Sequence, residues 1–420
     1  MKKLILLFIC SFALGFINAQ GWNQVGSIPN SPRYDDICFL TNEIGWAVNS
    51  RGEIYKTTDG GEQWEEKFNS SYYLRAIDFV DENIGYVGTL DNVLLQTVDG
   101  GETWIEIQDR IDNFNTSICG LSHAGNNVYG VGFWGYPAYF IKSKDGGETW
   151  THQDLSEFAD GLVECHFLDE NVGFIGGIDQ DSGGVILKTT DGGESWNRIY
   201  TTDQGAEYIW KLDFVTENII YGAVENMSGR PGTIVKSEDA GDSWTIHEVD
   251  SIYLDLQGIG FLDENIGWVG PRNNPMYQTN DGGLSWERKN NLPNNINRII
   301  RLESGFLNAS GSRFYTYRDS LLSSTDLNVS NEEVHSFSLF PNPVIDHFNL
   351  NVNLGTSTTI RLDIFDQNGR LVNHIFHGRS PKGPHKFVVN LEDIEITSGV
   401  YFLSLRTNEG FSIKKFIVTQ

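Results

Sequence analysis

One eight-residue phrase recurs six times along the chain. Thr57-Thr58-Asp59-Gly60-Gly61-Glu62-Gln63-Trp64 returns in versions that end at Trp104, Trp150, Trp196, Trp244 and Trp286, with spacings of 40 to 48 residues. A period of that size means one supersecondary unit repeated, each copy burying its apolar face against its neighbours. A second phrase lies upstream of most octets. Phe39-Leu40-Thr41-Asn42-Glu43-Ile44-Gly45-Trp46 is echoed from Phe79, Phe167, Phe214 and Phe261.

Each unit reads as four short strands: one ends at the Phe, the next opens at Ile-Gly-Trp, a third runs through Gly52 to Thr57, and the fourth begins at the Trp. Four strands per unit of this length is a propeller blade. In the octet, the Asp side chain is placed to accept from the amides that follow it, the paired glycines permit positive φ, and the Trp buries a large ring between sheets. Asp59, Asp99, Asp145, Asp191, Asp239 and Asp281 with Trp64, Trp104, Trp150, Trp196, Trp244 and Trp286 are therefore read as structural. Chemistry needs asymmetry, and this element repeats.

After Trp286, the stretches 296–302, 305–309 and 313–317 supply three more strands without an octet. The missing fourth is available at Gly21-Trp22-Asn23-Gln24-Val25, and a ring closed by its own two ends has no free sheet edge. The expectation is an all-β chain whose residues 21–318 form a seven-bladed β-propeller closed by the N-terminal strand. The octets resemble the Asp boxes, or BNR repeats, of sialidase-type propellers. Combined with Ile-Gly-Trp they are most similar to the photosystem II stability and assembly factors. That resemblance implies the fold; the repeat itself serves enzymes, assembly factors and sorting receptors.

Lys2 and Lys3, the apolar run Leu4 to Phe16 and the exit Asn18-Ala19-Gln20 read as a secretory signal peptide over residues 1–20, too short to span a bilayer. No later stretch is apolar enough to cross a membrane. Formal net charge is −26, while residues 337–420 are close to neutral, so the acidity lies in the repeat region. Such a surface repels phosphate backbones, which argues against nucleic acid. Cys38, Cys119 and Cys165 sit in strand patterns without metal-ligand spacing and read as buried thiols, with a Cys119–Cys165 bridge left open. No cofactor and no metal are expected, and a monomer is.

Residues 319–336 read as a polar linker, and Asp319-Ser320-Leu321 resembles an O-glycosylation site of Bacteroidetes proteins. Beyond it, alternating strands with turns at Gln367-Asn368-Gly369 and Thr397-Ser398-Gly399 suit a small antiparallel sandwich. Leu339-Phe340-Pro341-Asn342-Pro343, the run Leu362 to Val372, Ser398-Gly399-Val400-Tyr401-Phe402-Leu403 and Lys414-Lys415-Phe416-Ile417-Val418 together resemble the type A C-terminal sorting domain of the type IX secretion system. The resemblance implies a partner, the type IX machinery, engaged through residues 337–420. It also implies a Bacteroidetes-type source, passage through the periplasm, and release or surface attachment.

The octets and the first turns share one face of the disc, so function is expected on the other, where loops vary in length. Counting four residues back from the end of strand one gives Asp35, Arg75, Ser117, Val163, Trp210, Gln257 and Arg298 as a ring about the axis. With Tyr73, Trp134, Tyr136, Arg230 and Arg272 nearby, these are the candidate ligand-binding residues. Catalytic residues are not assigned. The acidic pairs Asp81-Glu82, Asp169-Glu170 and Asp263-Glu264 sit in recurring turns, and the histidines lack metal or triad spacing. The expected function is a non-catalytic binding protein for a glycan or protein, secreted or on the outer surface. The alternatives are a sialidase-like glycoside hydrolase and an assembly factor for another exported protein.

Overall fold

The computed structural model describes residues 21–318 and 335–419, apart from 113, 133–136, 228, 290–291, 303–305, 367–370, 395 and 408–409. The expected signal peptide, nearly all of the linker, and the Gln367-Asn368-Gly369 turn lie outside the described residues. The described chain is all-β, its only helical pieces being the 3-10 turns Gln108–Arg110 and Leu391–Asp393.

The first repeat folds as an antiparallel meander of Tyr34–Phe39, Gly45–Asn49, Glu53–Thr57 and Glu65–Asn69. The second strand is wholly buried, whereas the fourth carries Glu65, Glu66 and Lys67 on a largely exposed edge. Charge on an outer strand discourages pairing with another chain. Five more four-stranded sheets begin at Leu74–Phe79, Gly120–Ala124, Gly161–Phe167, Glu207–Phe214 and Leu256–Phe261. A further sheet has the order Gly21–Gln24, Phe314–Arg318, Leu307–Ser310, Arg298–Arg301, so that Trp22 pairs with Tyr317. Innermost strands of successive sheets pack side by side, and Arg298–Arg301 packs in turn on Tyr34–Phe39.

The octets hold the repeats together by local chemistry. Thr57 Oγ1 donates to Asp59 Oδ1 at 2.9 Å and accepts from Gly61 N at 2.9 Å, and Asp59 Oδ1 accepts from Gln63 N at 2.8 Å. Gly61 has φ +96°, and a Cβ there would meet Phe314 at 2.3 Å, so only glycine fits. The Trp64 indole donates to Gly61 O at 2.9 Å while its ring packs edge-on against Phe314 of the last sheet, 5.0 Å between centroids. The strand-two aromatic reaches the other way. Trp46 Nε1 donates to Gly100 O at 3.1 Å and Tyr86 Oη to Gly146 O at 2.6 Å, each in the next sheet's octet. Tyr221 Oη repeats the bond to Gly282 O at 2.8 Å, so that a strand-two aromatic ties the first, second and fifth sheets to the octet of the next.

Cys38, Cys119 and Cys165 are free thiols, which closes the question of a Cys119–Cys165 bridge. In the tail, the sheet of His335–Phe340, His347–Leu354 and Gly383–Asn390 faces that of Leu371–Ser380, Thr358–Asp366, Gly399–Thr407 and Gly410–Val418. Alternate residues Phe348, Leu350 and Val352 meet Leu362, Ile364, Leu403 and Phe416 in a separate core. Among the described residues no helix is long and apolar enough to cross a membrane.

Candidate functional site

The loops after the second strands and the connections between sheets surround a cavity of about 560 Å³. It is lined by Arg33, Asp35, Tyr73, Arg75, Leu90, Asn92, Ser117, Trp210, Glu225, Gln257 and Arg272. Tyr73, Arg75, Trp210, Gln257 and Arg272 were expected there from sequence. Arg33 and Glu225 were not. The missed signal is Arg33-Tyr34-Asp35-Asp36, where a cation two residues before an inward carboxylate shares its strand face.

Arg75 is 2% exposed, its guanidinium 4.8 Å from the Trp210 ring centroid and Nη1 3.3 Å from Asp35 Oδ1. Arg33 approaches the same carboxylate oxygen through Nε at 2.5 Å and stands 5.7 Å from the same indole. Burial opposes the charge on Arg75, yet Asp35 foremost, with Cys119, Tyr73 and Asp36 behind it, together outweigh burial and hold the proton. Tyr73 is pushed up to about 12 by burial and then by Asp35. Burial also raises the Glu225 carboxyl, against the opposing hydrogen bond from Gln257 Nε2 at 2.6 Å.

Several expected members stand elsewhere. Arg298 does not line the cavity. The bond Leu302 N to Phe306 O repeats Leu40 N to Ile44 O, so Arg301, not Leu302, takes the place of Phe39. Counting four back then gives Asn297, and Arg298 falls one residue further along. Ser117 is displaced by two, because the octet amide of Gly146 bonds to Asn126 O and His123 pairs with Val128. Cys119 is the true equivalent, packed with Val163 and Trp210, while Ser117 borders the cavity from the connection before it. Arg230 turns aside to Glu207 Oε1 at 3.0 Å and Gly205 O at 3.0 Å. Trp134 and Tyr136 lie outside the described residues.

Trp210 is a covered aromatic. It is 2% exposed, with Arg75 and Arg33 over its ring, so it seats guanidinium groups and offers no open face for stacking a sugar.

Beneath this layer the next residue of each innermost strand reads Asp36, Ala76, Gly120, Glu164, Lys211, Gly258 and Arg298. Three small residues leave room for four charged ones. Arg298 Nη1 meets Glu164 Oε1 at 2.6 Å, Lys211 Nζ meets Glu164 Oε2 at 2.7 Å, and Arg298 Nε lies 3.4 Å from Asp36 Oδ1. Burial alone would raise the Glu164 carboxyl, but Arg298 and Lys211 together hold it low. These contacts tie sheets one, four, five and seven to one another. A cluster this buried is costly to break at one member, since the remaining charge is left without its partner.

Further along, Asp213 Oδ2 accepts from Phe261 N at 2.9 Å and burial pushes its carboxyl up to about 6. His166 stacks on Phe214 at 4.3 Å and burial lowers it to about 4, which makes it a neutral core ring. The Asp179 carboxylate accepts from Ser182 and pairs with Arg198 at 2.9 Å, so its oxygens are engaged by the chain itself.

Residues 69–161 match the family model described as photosynthesis system II assembly factor YCF48, and residues 338–419 match the secretion system C-terminal sorting domain. The photosystem II assembly lipoprotein Ycf48 of Synechococcus sp. (strain CC9902) is 29% identical over 167 residues, 38% of this chain and 45% of that protein. The chain thus spans less than half the length of that curated relative.

Among solved structures, YCF48 bound to D1 peptide is similar at a TM-score of 0.56 and 18% identity, covering 71% of this chain and 97% of that one. YCF48 from Cyanidioschyzon merolae gives 0.56 and 18%, covering 71% and 98%. The GH74 xyloglucanase from Xanthomonas campestris gives 0.54 and 10%, covering 95% and 68%. At these identities the likeness speaks for fold alone. The fold of residues 21–318 is thus that of β-propellers, with residues 69–161 similar to the photosystem II assembly-factor model and residues 338–419 similar to secretion-system C-terminal sorting domains.

Proposed function

We propose that this chain is an exported, non-catalytic binding protein that takes its ligand into the cavity of Arg75 and Trp210. In this reading the seven four-stranded sheets of residues 21–318 are the blades of one closed propeller, fastened by the N-terminal strand. Residues 1–20 direct export to the periplasm and residues 337–420 deliver the propeller to the type IX machinery. The product acts in the medium or on the outer surface.

The observation that carries the reading is an asymmetry. The octet side chains are spent on their own turns, whereas the unrepeated residues converge on a cavity at the irregular loops. A protein ligand suits this site better than a neutral sugar, because the Trp210 ring is already covered. The assembly role named for the Synechococcus relative and the peptide named in the solved YCF48 complex support a polypeptide partner.

Peptide and glycan arrays probed with the wild-type secreted protein and Arg272→Ala test it. Binding in one array that falls at least about tenfold in the variant is expected for a rim contact to a ligand. Silence in both arrays, or binding indifferent to Arg272, counts against the cavity.

A second reading, hydrolysis of a glycoside, draws on the Glu225 carboxyl held high by burial in the same cavity as Asp35. It requires activity on aryl glycosides that Glu225→Gln abolishes.

A further inference from the structure

The cavity contains an unfinished ion pair. Arg75 Nη1 and Nη2 are buried without a hydrogen-bond partner, although Nη1 stands within ion-pair distance of Asp35. Asp35 is 0% exposed, and its second oxygen, Oδ2, is buried without a partner. Gln257 Oε1 is also unsatisfied at the same wall. Buried polar atoms in native proteins are almost always paired, and a guanidinium fork matches two oxygens of one planar acid. Here one oxygen of Asp35 serves both Arg33 and Arg75. The fork of Arg75 still lacks an acceptor.

We infer that the cavity is a receptor for a single carboxylate group on the ligand, which completes the Arg75 fork while Asp35 holds the site open as a built-in substitute. This rests on the binding reading above and names the chemistry recognised. Charge decides between anions. Arg33, Arg75 and Arg272 face Asp35 and Glu225, which leaves room for about one negative charge. A phosphate dianion would meet two carboxylates in the same walls, and like charges a few Å apart disfavour the ionised form. A monoanionic carboxylate fits the balance. It can come from a peptide or from an acidic sugar, and Asp35 sets its affinity by competing for the same guanidinium groups.

The test uses the full secreted chain and calorimetric titration with N-acetylglycine, N-acetylglycinamide, glucuronate, glucose and inorganic phosphate. Binding of one or both carboxylates, with the amide, glucose and phosphate at least about tenfold weaker, is the expected result. N-acetylglycine against glucuronate identifies the source. Arg75→Gln should abolish carboxylate binding and Arg75→Lys should weaken it, since a point charge cannot replace a fork. Asp35→Asn removes the competitor and should tighten binding by about tenfold or more, which also guards against a folding defect in the Arg75 variants. Equal binding of carboxylate and neutral partners, or weaker binding in Asp35→Asn, overturns the carboxylate assignment and leaves the cavity as a ligand site. Failure of every probe overturns it as well, and the arrays above then judge the cavity independently.

Discussion

Asp213 is the residue whose replacement should make this protein more stable. Its carboxyl accepts from the Phe261 amide near the cationic Arg301 and Arg298, and burial raises its pKa to about 6, against about 3.9 for an unfolded Asp. The native state therefore holds a proton that the unfolded chain releases. The stability tied to that proton is fully present below about pH 4 and is lost as pH rises through 6. Two pKa units correspond to about 3 kcal/mol at neutral pH. Asparagine mimics the protonated acid in shape and keeps an oxygen for the Phe261 amide, so Asp213→Asn should gain roughly that amount at pH 8 and nothing at pH 4. Urea unfolding of both proteins between pH 4 and pH 8 measures the difference. If Asp213→Asn is the less stable protein at pH 8, the ionised carboxylate is held by Arg301 and Arg298, and the argument from burial fails.

Trp196, 4% exposed against Phe140 and Phe167, should cost about 3 to 5 kcal/mol on replacement by Ala, read from the thermal midpoint. Asp191→Ala should lower the thermal midpoint too, through loss of the bonds to Ser195 and Thr189, yet leave calorimetric binding in the folded fraction unchanged. Deleting residues 337–420 should leave a folded propeller confined to the periplasm, because the tail has its own core, and cell fractionation reads this directly.

What sequence disclosed and what it hid have one physical origin. The octets and Ile-Gly-Trp phrases satisfy their own hydrogen bonds within a few residues, so Asp59, Gly61 and Trp64 announce their geometry in their spacing. The centre is built from contacts far apart in the chain, such as Arg298 with Glu164 and Trp210 with Arg75, and no local pattern signals who meets whom. The ring count slipped where the repeat lost its marker: His123 stands for the Phe in the third sheet and Arg301 in the last. That slip moved Arg298 from the charged cluster up to the mouth. For Trp210, sequence gives the strand position of an aromatic and not the cations that cover its face.

In the proposed function, ligand enters by the irregular-loop face and not by the octet face. Photo-crosslinking on living cells tests it most directly, with benzoylphenylalanine placed at Tyr73, which lines the cavity, and at Leu284, 68% exposed in the sixth octet. An adduct of defined mass is expected from position 73, lost when free ligand or N-acetylglycine is added in excess, and none from position 284. Adducts from Leu284 alone would place the working surface on the octets and contradict it.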